Sequence, residues 1–257
     1  MVQSIEKIKK EQKLVSFRTA IPHYEIFALR SESTNGQPIV LVHGAVASHR
    51  YMIPTAKVLS NNRYVLVPDL PGHGGSSKPE HALTPERMAE ALHTWLTELG
   101  IAKADFLANS YGCQIMTHFA VAYPQCVDHL ILTDPTGDPG AKGLWQQFWR
   151  LFKDGFVEPP FAPLMMFLDI FDLGWTRQFE TAHNMKNDDV RGILPHIQAK
   201  TIVIRGENDF ISPQKWCEVV TRLIPGARLE VIPNAPHSVN SATAVPLCQI
   251  VNRFLSE

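Results

Sequence analysis

"FLANSYGCQI", residues 106–115, passes from one apolar segment to another through Asn109-Ser110-Tyr111-Gly112. ADFLAN before the serine reads as a strand, and YGCQIMTHFAVAYP after it reads as a helix. Outward from this junction the same alternation repeats. Upstream lie PIVLVHG (38–44), a helix over 51–60, and YVLVPDLPGHG (64–74). The first and third are short all-apolar runs, the kind buried on both faces of a parallel sheet. The helix TPERMAEALHTWLTELGI follows, with Thr84 as N-cap, Pro85 at its first position and Gly100 past its end. Its Met88, Leu92, Trp95 and Leu96 fall on one face.

Downstream come the strand VDHLILTDP (127–135), the strand KTIVIRGEND (200–209), the helix QKWCEVVTRLIPG, the strand RLEVIPNAPH (228–237) and a last helix from about 242. Residues 14–19 and 24–30 alternate in polarity around Pro22, which suits an antiparallel pair at a sheet edge. The expectation is an α/β fold: a mostly parallel eight-stranded sheet with helices on both faces.

The chain has 257 residues, 45% of them hydrophobic and 19% charged, with a formal net charge of −1. That balance gives no reason to expect nucleic acid or an anionic membrane as a partner. No apolar run reaches the roughly 18 residues that span a bilayer. The opening MVQSIEKIKKEQK has charges of both signs and no apolar centre, so it does not read as a secretory signal. Cys113, Cys126, Cys217 and Cys248 are scattered, as expected of reduced thiols in a cytoplasmic protein, and the histidines lack metal-ligand spacing. The sequence thus predicts no metal and no cofactor, a small-molecule partner, and a monomer or homodimer. Cys113 reads as core packing.

Residues 137–195 interrupt the alternation after the sixth strand. They are crowded with Phe and Trp, and EPPFAP divides expected helical pieces near 143–153 and 162–185. An aromatic helical insertion there suits a lid over the carboxyl ends of the strands. The plainer reading is extra core. The expected organisation is a core of 1–136 and 196–257 with a helical cap of 137–195.

Ligands in open parallel sheets bind at the carboxyl ends of the strands. Reactive side chains follow strands at four places: His43-Gly44-Ala45-Val46, Ser110, Asp209 and His237. Ser110 is flanked two positions away by the small residues Ala108 and Gly112. A sharp strand-to-helix turn demands small side chains there and lifts the hydroxyl over a helix N-terminus. A plain N-cap serine would occupy the same junction. A nucleophilic serine needs a base and an orienting carboxylate, and His237 and Asp209 fall on the same rim in the order Ser, Asp, His. Singly, His237 could be a surface histidine and Asp209 a turn cap. Asp134 also follows a strand and competes with Asp209 as the acid. Two backbone N–H groups must face a forming oxyanion; Tyr111 supplies one, and Ala45, with Val46 as second choice, the other.

VHGAVAS, DLPGHGGSSKP, ANSYGCQ, RGENDFISP and PNAPHSVN together resemble the α/β-hydrolase superfamily, in order and in placement at strand ends, from about residue 14 to the last helix. The resemblance implies the α/β-hydrolase fold with a helical cap, as in small single-domain serine hydrolases. In DLPGHGGS, Gly72 and Gly74 allow tight turning, and Asp69 and His73 hold the loop by hydrogen bonds. The elbow departs from the family's G-x-S-x-G by Ala108 in place of the first glycine. A serine nucleophile argues against the aspartate-using dehalogenase and epoxide-hydrolase branches.

The expected activity is cofactor-free hydrolysis of an ester or related carbonyl compound, carboxylic-ester-hydrolase-like, with Ser110, His237 and Asp209 as catalytic residues. Val46, Trp145, Phe148, Trp149, Phe152, Phe167 and Phe171 are candidates for an apolar substrate pocket. Two alternatives stand beside it: a C–C hydrolase, lyase or cofactor-free oxygenase using His237 for proton transfer, and a small-molecule receptor.

Overall fold

The computed structural model describes residues 13–140, 158, 169 and 171–257. Its centre is an eight-stranded sheet of order β1-β2-β4-β3-β5-β6-β7-β8. The strands are β1 (Leu14–Ile21), β2 (Tyr24–Ser31), β3 (Pro38–Val42), β4 (Tyr64–Pro68), β5 (Ala104–Asn109), β6 (Val127–Thr133), β7 (Lys200–Gly206) and β8 (Arg228–Ile232). β1 pairs antiparallel with β2, and β2 antiparallel with β4, while every other pairing is parallel. The β1–β2 turn is Pro22-His23 with His23 at φ 71, which fits the second central position of a type II turn.

Among the described residues the α-helices are α1 (His49–Leu59), α2 (Pro85–Glu98), α3 (Tyr111–Ala122), α4 (Trp175–Asn187), α5 (Gln214–Leu223), the single turn α6 (Val239–Ala242) and α7 (Ala244–Phe254). The period-2 rule sorts the apolar strands into two cores. Val40, Val42, Leu66, Phe106 and Leu130 join α2, α3 and α5 on one face. Ile39, Leu41, Val65, Leu107 and Ile131 join α1 and α7 on the other. Burial on both faces is why these strands are apolar without interruption.

Local signals set the helix ends. In α2, Thr84 Oγ1 accepts from the Arg87 N–H, and Gly100 leaves the helix at φ 69. The helix expected from residue 51 begins at His49 because the Ser48 side chain caps it, accepting from the Arg50 N–H. The last helix, expected from about 242, is split at Thr243, whose φ of −130 is not helical. Between β6 and β7 the chain forms α4. The expected helical piece at 143–153 lies outside the described residues.

Candidate active site

Three residues that precede helices answer the question raised by Ser110. Ser48 and Thr84 have extended backbones, and their side chains accept a hydrogen bond from the first helical turn. Ser110 sits at φ 56, ψ −123 and makes no side-chain cap bond. A non-glycine residue at positive φ costs energy that its surroundings must offset. The offset is visible: the Ser110 N–H donates to the Thr133 carbonyl at 3.0 Å, and the Cys113 N–H donates to the Ser110 carbonyl at 3.0 Å. A Cβ on Gly112 would lie 2.6 Å from the His43 carbonyl oxygen, so the helix can meet β3 only with glycine there. Ser110 is therefore held out of the cap geometry with its hydroxyl turned elsewhere.

That hydroxyl meets His237. Ser110 Oγ is 3.0 Å from His237 Nε2, and His237 Nδ1 is 2.8 Å from Asp209 Oδ2. The second oxygen of Asp209 accepts the N–H groups of Ile211 at 2.7 Å and Ser212 at 2.9 Å. Burial alone would raise the Asp209 carboxyl, but the charge and hydrogen bond of His237, the neighbouring Asp134 and the Ser212 N–H together hold it below its ordinary value. The two loops that carry Asp209 and His237 are tied together. The Asn208 N–H donates to the Ala235 carbonyl at 2.8 Å, and the Glu207 N–H to the Ile232 carbonyl at 3.0 Å. A Cβ on Gly206 would come within 2.3 Å of the Pro236 oxygen, so this approach requires glycine.

Asp134, the competing acid, lies in the same cluster. Ligand atoms of Asp134, Asp209 and His237 are all within 4.8 Å of one another. His237 Nδ1 bonds to Asp209, and Asp134 Oδ1 instead accepts the Gly206 N–H at 2.8 Å.

The His43–Val46 loop closes the site from β3. His43 is 1% exposed; its Nε2 accepts the Leu70 N–H at 3.1 Å, which leaves Nδ1 to donate to the Gly44 carbonyl at 2.8 Å. Burial lowers its pKa, in keeping with a neutral ring. In a trans peptide the Ala45 N–H then points away from that carbonyl. Among the described residues the N–H groups of Ala45 and Tyr111 donate to no protein acceptor. A Cβ on Gly44 would stand 3.1 Å from Ser110 Cβ, which places this loop directly against the serine. His73 Nε2 donates to the Ala45 carbonyl at 2.9 Å, so the DLPGHGGS loop fixes the next peptide of the same loop. Asp69 holds that loop by accepting from Gly75 N–H, His49 N–H and His49 Nδ1 at 2.7, 2.6 and 2.8 Å.

Cys113 is buried, and burial pushes its thiol well above the ordinary value, which removes it from nucleophilic chemistry. Of the pocket candidates, Val46 is half-buried and Phe171 is 63% exposed. Trp145, Phe148, Trp149, Phe152 and Phe167 lie outside the described residues. Among the described residues, three clusters bring His, Asp or Glu ligand atoms together: Glu86/His118/Asp188, Asp105/Asp128/His129 and Asp134/Asp209/His237. In each the histidine already bonds an aspartate, at 2.9, 2.8 and 2.8 Å.

Sequence reasoning missed the contacts that tie the β6–β7 segment to the rim. Glu158 Oε1 accepts the Ser238 N–H at 2.9 Å, beside His237. Arg50 bonds Asp169 and Asp172 at 2.5 and 2.7 Å. Asp188 accepts from Gln114 at 2.9 Å. Each pair is far apart in the chain, so no local pattern marks it.

A profile described as "Alpha/beta hydrolase family" matches residues 39–247. The chain is 34% identical to the human (Lyso)-N-acylphosphatidylethanolamine lipase over 42% of this chain and 33% of that enzyme. In the relatives of about 35% identity, the match spans only about a quarter to a third of their length. It is 25% identical to the Vibrio cholerae pimeloyl-[acyl-carrier protein] methyl ester esterase over 86% of this chain and 95% of that one. Among solved structures, a thermophilic esterase from Thermogutta terrifontis superposes with a TM-score of 0.73 at 25% identity, covering 95% of this chain and 98% of the other. Among the described residues, no helix is long and apolar enough to cross a membrane.

Proposed function

The chain belongs to the alpha/beta hydrolase family, and from that premise we propose that it is a cofactor-free serine hydrolase acting on an ester or related carbonyl substrate with an apolar part. The observation that carries the reading is the unbroken line Ser110 Oγ–His237 Nε2 at 3.0 Å and His237 Nδ1–Asp209 Oδ2 at 2.8 Å. Ser110 attacks the carbonyl while His237 takes its proton, later delivering it to the leaving group. Asp209 fixes the imidazole tautomer and stabilises the imidazolium. The N–H groups of Ala45 and Tyr111 receive the oxyanion, each such donor lowering the barrier by about 3–4 kcal/mol. Water then releases the acyl group by the same path in reverse.

Residues 137–195 form a cap over this rim in the proposal, between core segments 1–136 and 196–257. Support comes from the anchors of α4 and its flanks. Glu180 accepts the Ala82 N–H at 2.7 Å, Asn184 donates to the Leu83 carbonyl at 3.2 Å, and Arg177 donates to the Pro79 carbonyl at 3.1 Å. Ester chemistry is supported by relatives whose names describe a lipase and a methyl ester esterase.

The test is turnover of p-nitrophenyl esters graded by acyl length, in the wild type and in Ser110→Ala. The wild type is expected to show a burst, with the variant slower by about 10⁴-fold or more. A Ser110→Ala enzyme that keeps most of its activity would instead favour proton transfer by His237 without acylation. No turnover of any ester would favour a receptor.

A further inference from the structure

Asp134 stands at the end of β6, fully buried, in a left-handed backbone conformation at φ 48. Its Oδ1 accepts one N–H, from Gly206, and its buried Oδ2 has no donor to accept from. Asp209 alongside it accepts two backbone N–H groups and the His237 ring. Arg205, a cation close to both, spends its guanidinium on the carbonyls of Ser212, Glu207 and Asp209, at 2.9, 3.1 and 2.8 Å. The other titratable groups facing the pair are His237, Cys113, Cys217 and Glu158. Two buried carboxylates this close cannot both ionise cheaply. The unequal donor count decides which one keeps the proton.

We propose that Asp134 is a neutral carboxylic acid that donates a hydrogen bond to the Asp209 carboxylate, a positioning residue that keeps a single negative charge behind His237. As a carboxylate its Oδ2 would be an orphan; as an acid it becomes a donor with an acceptor beside it. Burial and the neighbouring Asp209 charge raise Asp134 well above the carboxylate range, in agreement. The proton stays on Asp134 through turnover, and only Ser110 and His237 exchange one. A second full charge behind His237 would hold the imidazole protonated at higher pH and shrink the fraction of enzyme able to act as base.

The inference rests on the serine hydrolase reading, and its test separates the two. kcat/KM for a p-nitrophenyl ester is followed against pH in the wild type, Asp134→Ala and Asp134→Asn, with fluorophosphonate labelling of Ser110 in each. Asparagine accepts from Gly206 and donates to Asp209 as the acid does. The expected result is a loss of about tenfold or more in Asp134→Ala, most of it recovered in Asp134→Asn, with the acid-limb midpoint of the Asn variant unmoved. A midpoint lowered by about one unit in Asp134→Asn would mean that a negative charge was removed, and would overturn the proposal. So would an Asn variant as slow as the Ala variant while Ser110 still labels. If the variants fold poorly, ¹³C carboxyl NMR of the wild type decides. The Asp134 signal should keep the protonated shift from pH 5 to 8; a signal at the carboxylate position would refute the assignment. Failure of the wild type itself to label at Ser110 would instead count against the serine hydrolase reading.

Discussion

Two Asp–His pairs in this molecule have nearly the same construction. Asp69–His49 and Asp209–His237 both join a carboxylate to Nδ1 at 2.8 Å. Both carboxylates are 0% exposed, the histidines are 13% and 11% exposed, and each carboxylate also accepts two backbone N–H groups. Neither distance nor burial tells them apart. The difference lies on the far side of each ring. His49 packs against Phe27, with ring centroids 4.8 Å apart, whereas His237 presents Nε2 to a serine held at positive φ. An Asp–His pair is thus a device for fixing an imidazole, and what the imidazole faces decides whether the result is architecture or chemistry.

The strongest way to break this contrast is to remove the rings. His237→Ala and Ser110→Ala should each lower kcat by about 10⁴-fold or more, with no further loss in the double variant, because the two act as a unit. His49→Ala should cost stability and leave kcat within a few-fold, as read by ester turnover beside urea denaturation. At the carboxylates the same division should hold. Asp209→Asn is expected to cost about 10⁴ in kcat, and Asp69→Asn about 3–5 kcal/mol of stability, since it opens a buried pair.

The pH dependence sharpens the structural side. Burial would raise Asp69, but hydrogen bonds from His49 and the electrostatic influence of the neighbouring His43 and His49 rings hold it down at about 2. Its contribution is therefore present above the ordinary carboxylate value and lost as pH falls towards 2. Burial above all, with the neighbouring His43 ring, lowers His73 to about 3. The unfolded chain takes up that proton below about pH 6.5 and the folded chain does not. Stability should fall by about 1.4 kcal/mol per pH unit for such a histidine, beginning near 6.5. Urea melts at pH 7 and 5 should show a drop that is about 2 kcal/mol smaller in His73→Gln than in the wild type. The smallest expected effect is Phe27→Leu, which removes the aromatic contact with His49 for about 1 kcal/mol and leaves turnover unchanged.

Much of this was legible in the sequence, for reasons particular to the residues. Strands buried on two faces are apolar without interruption, so VLVP, IVIR and LILT declare themselves. Thr84-Pro85 and Gly100 punctuate α2, and glycines at 72 and 74 mark a loop that needs them: at Gly74, φ is 44 and a Cβ would fall 2.1 Å from Asp69 Oδ2. Ser110, Asp209 and His237 could be nominated because each follows a strand. What the sequence withheld is pairing across distance. Nothing near His49 announces that it binds Asp69, and nothing in LTDP distinguishes an acid that competes with Asp209 from one that supports it. Contacts such as Arg50–Asp169 join residues more than a hundred positions apart and leave no periodic trace.

The central claim is that the Ser110 hydroxyl, and no other, is activated by His237. Its most direct test is to treat the protein with a fluorophosphonate and locate the adduct by peptide mass spectrometry. The account expects one adduct per chain, on Ser110 within FLANSYGCQI, formed in the wild type and in His49→Ala but not in His237→Ala. An adduct on another residue, or equal labelling with and without His237, would contradict it.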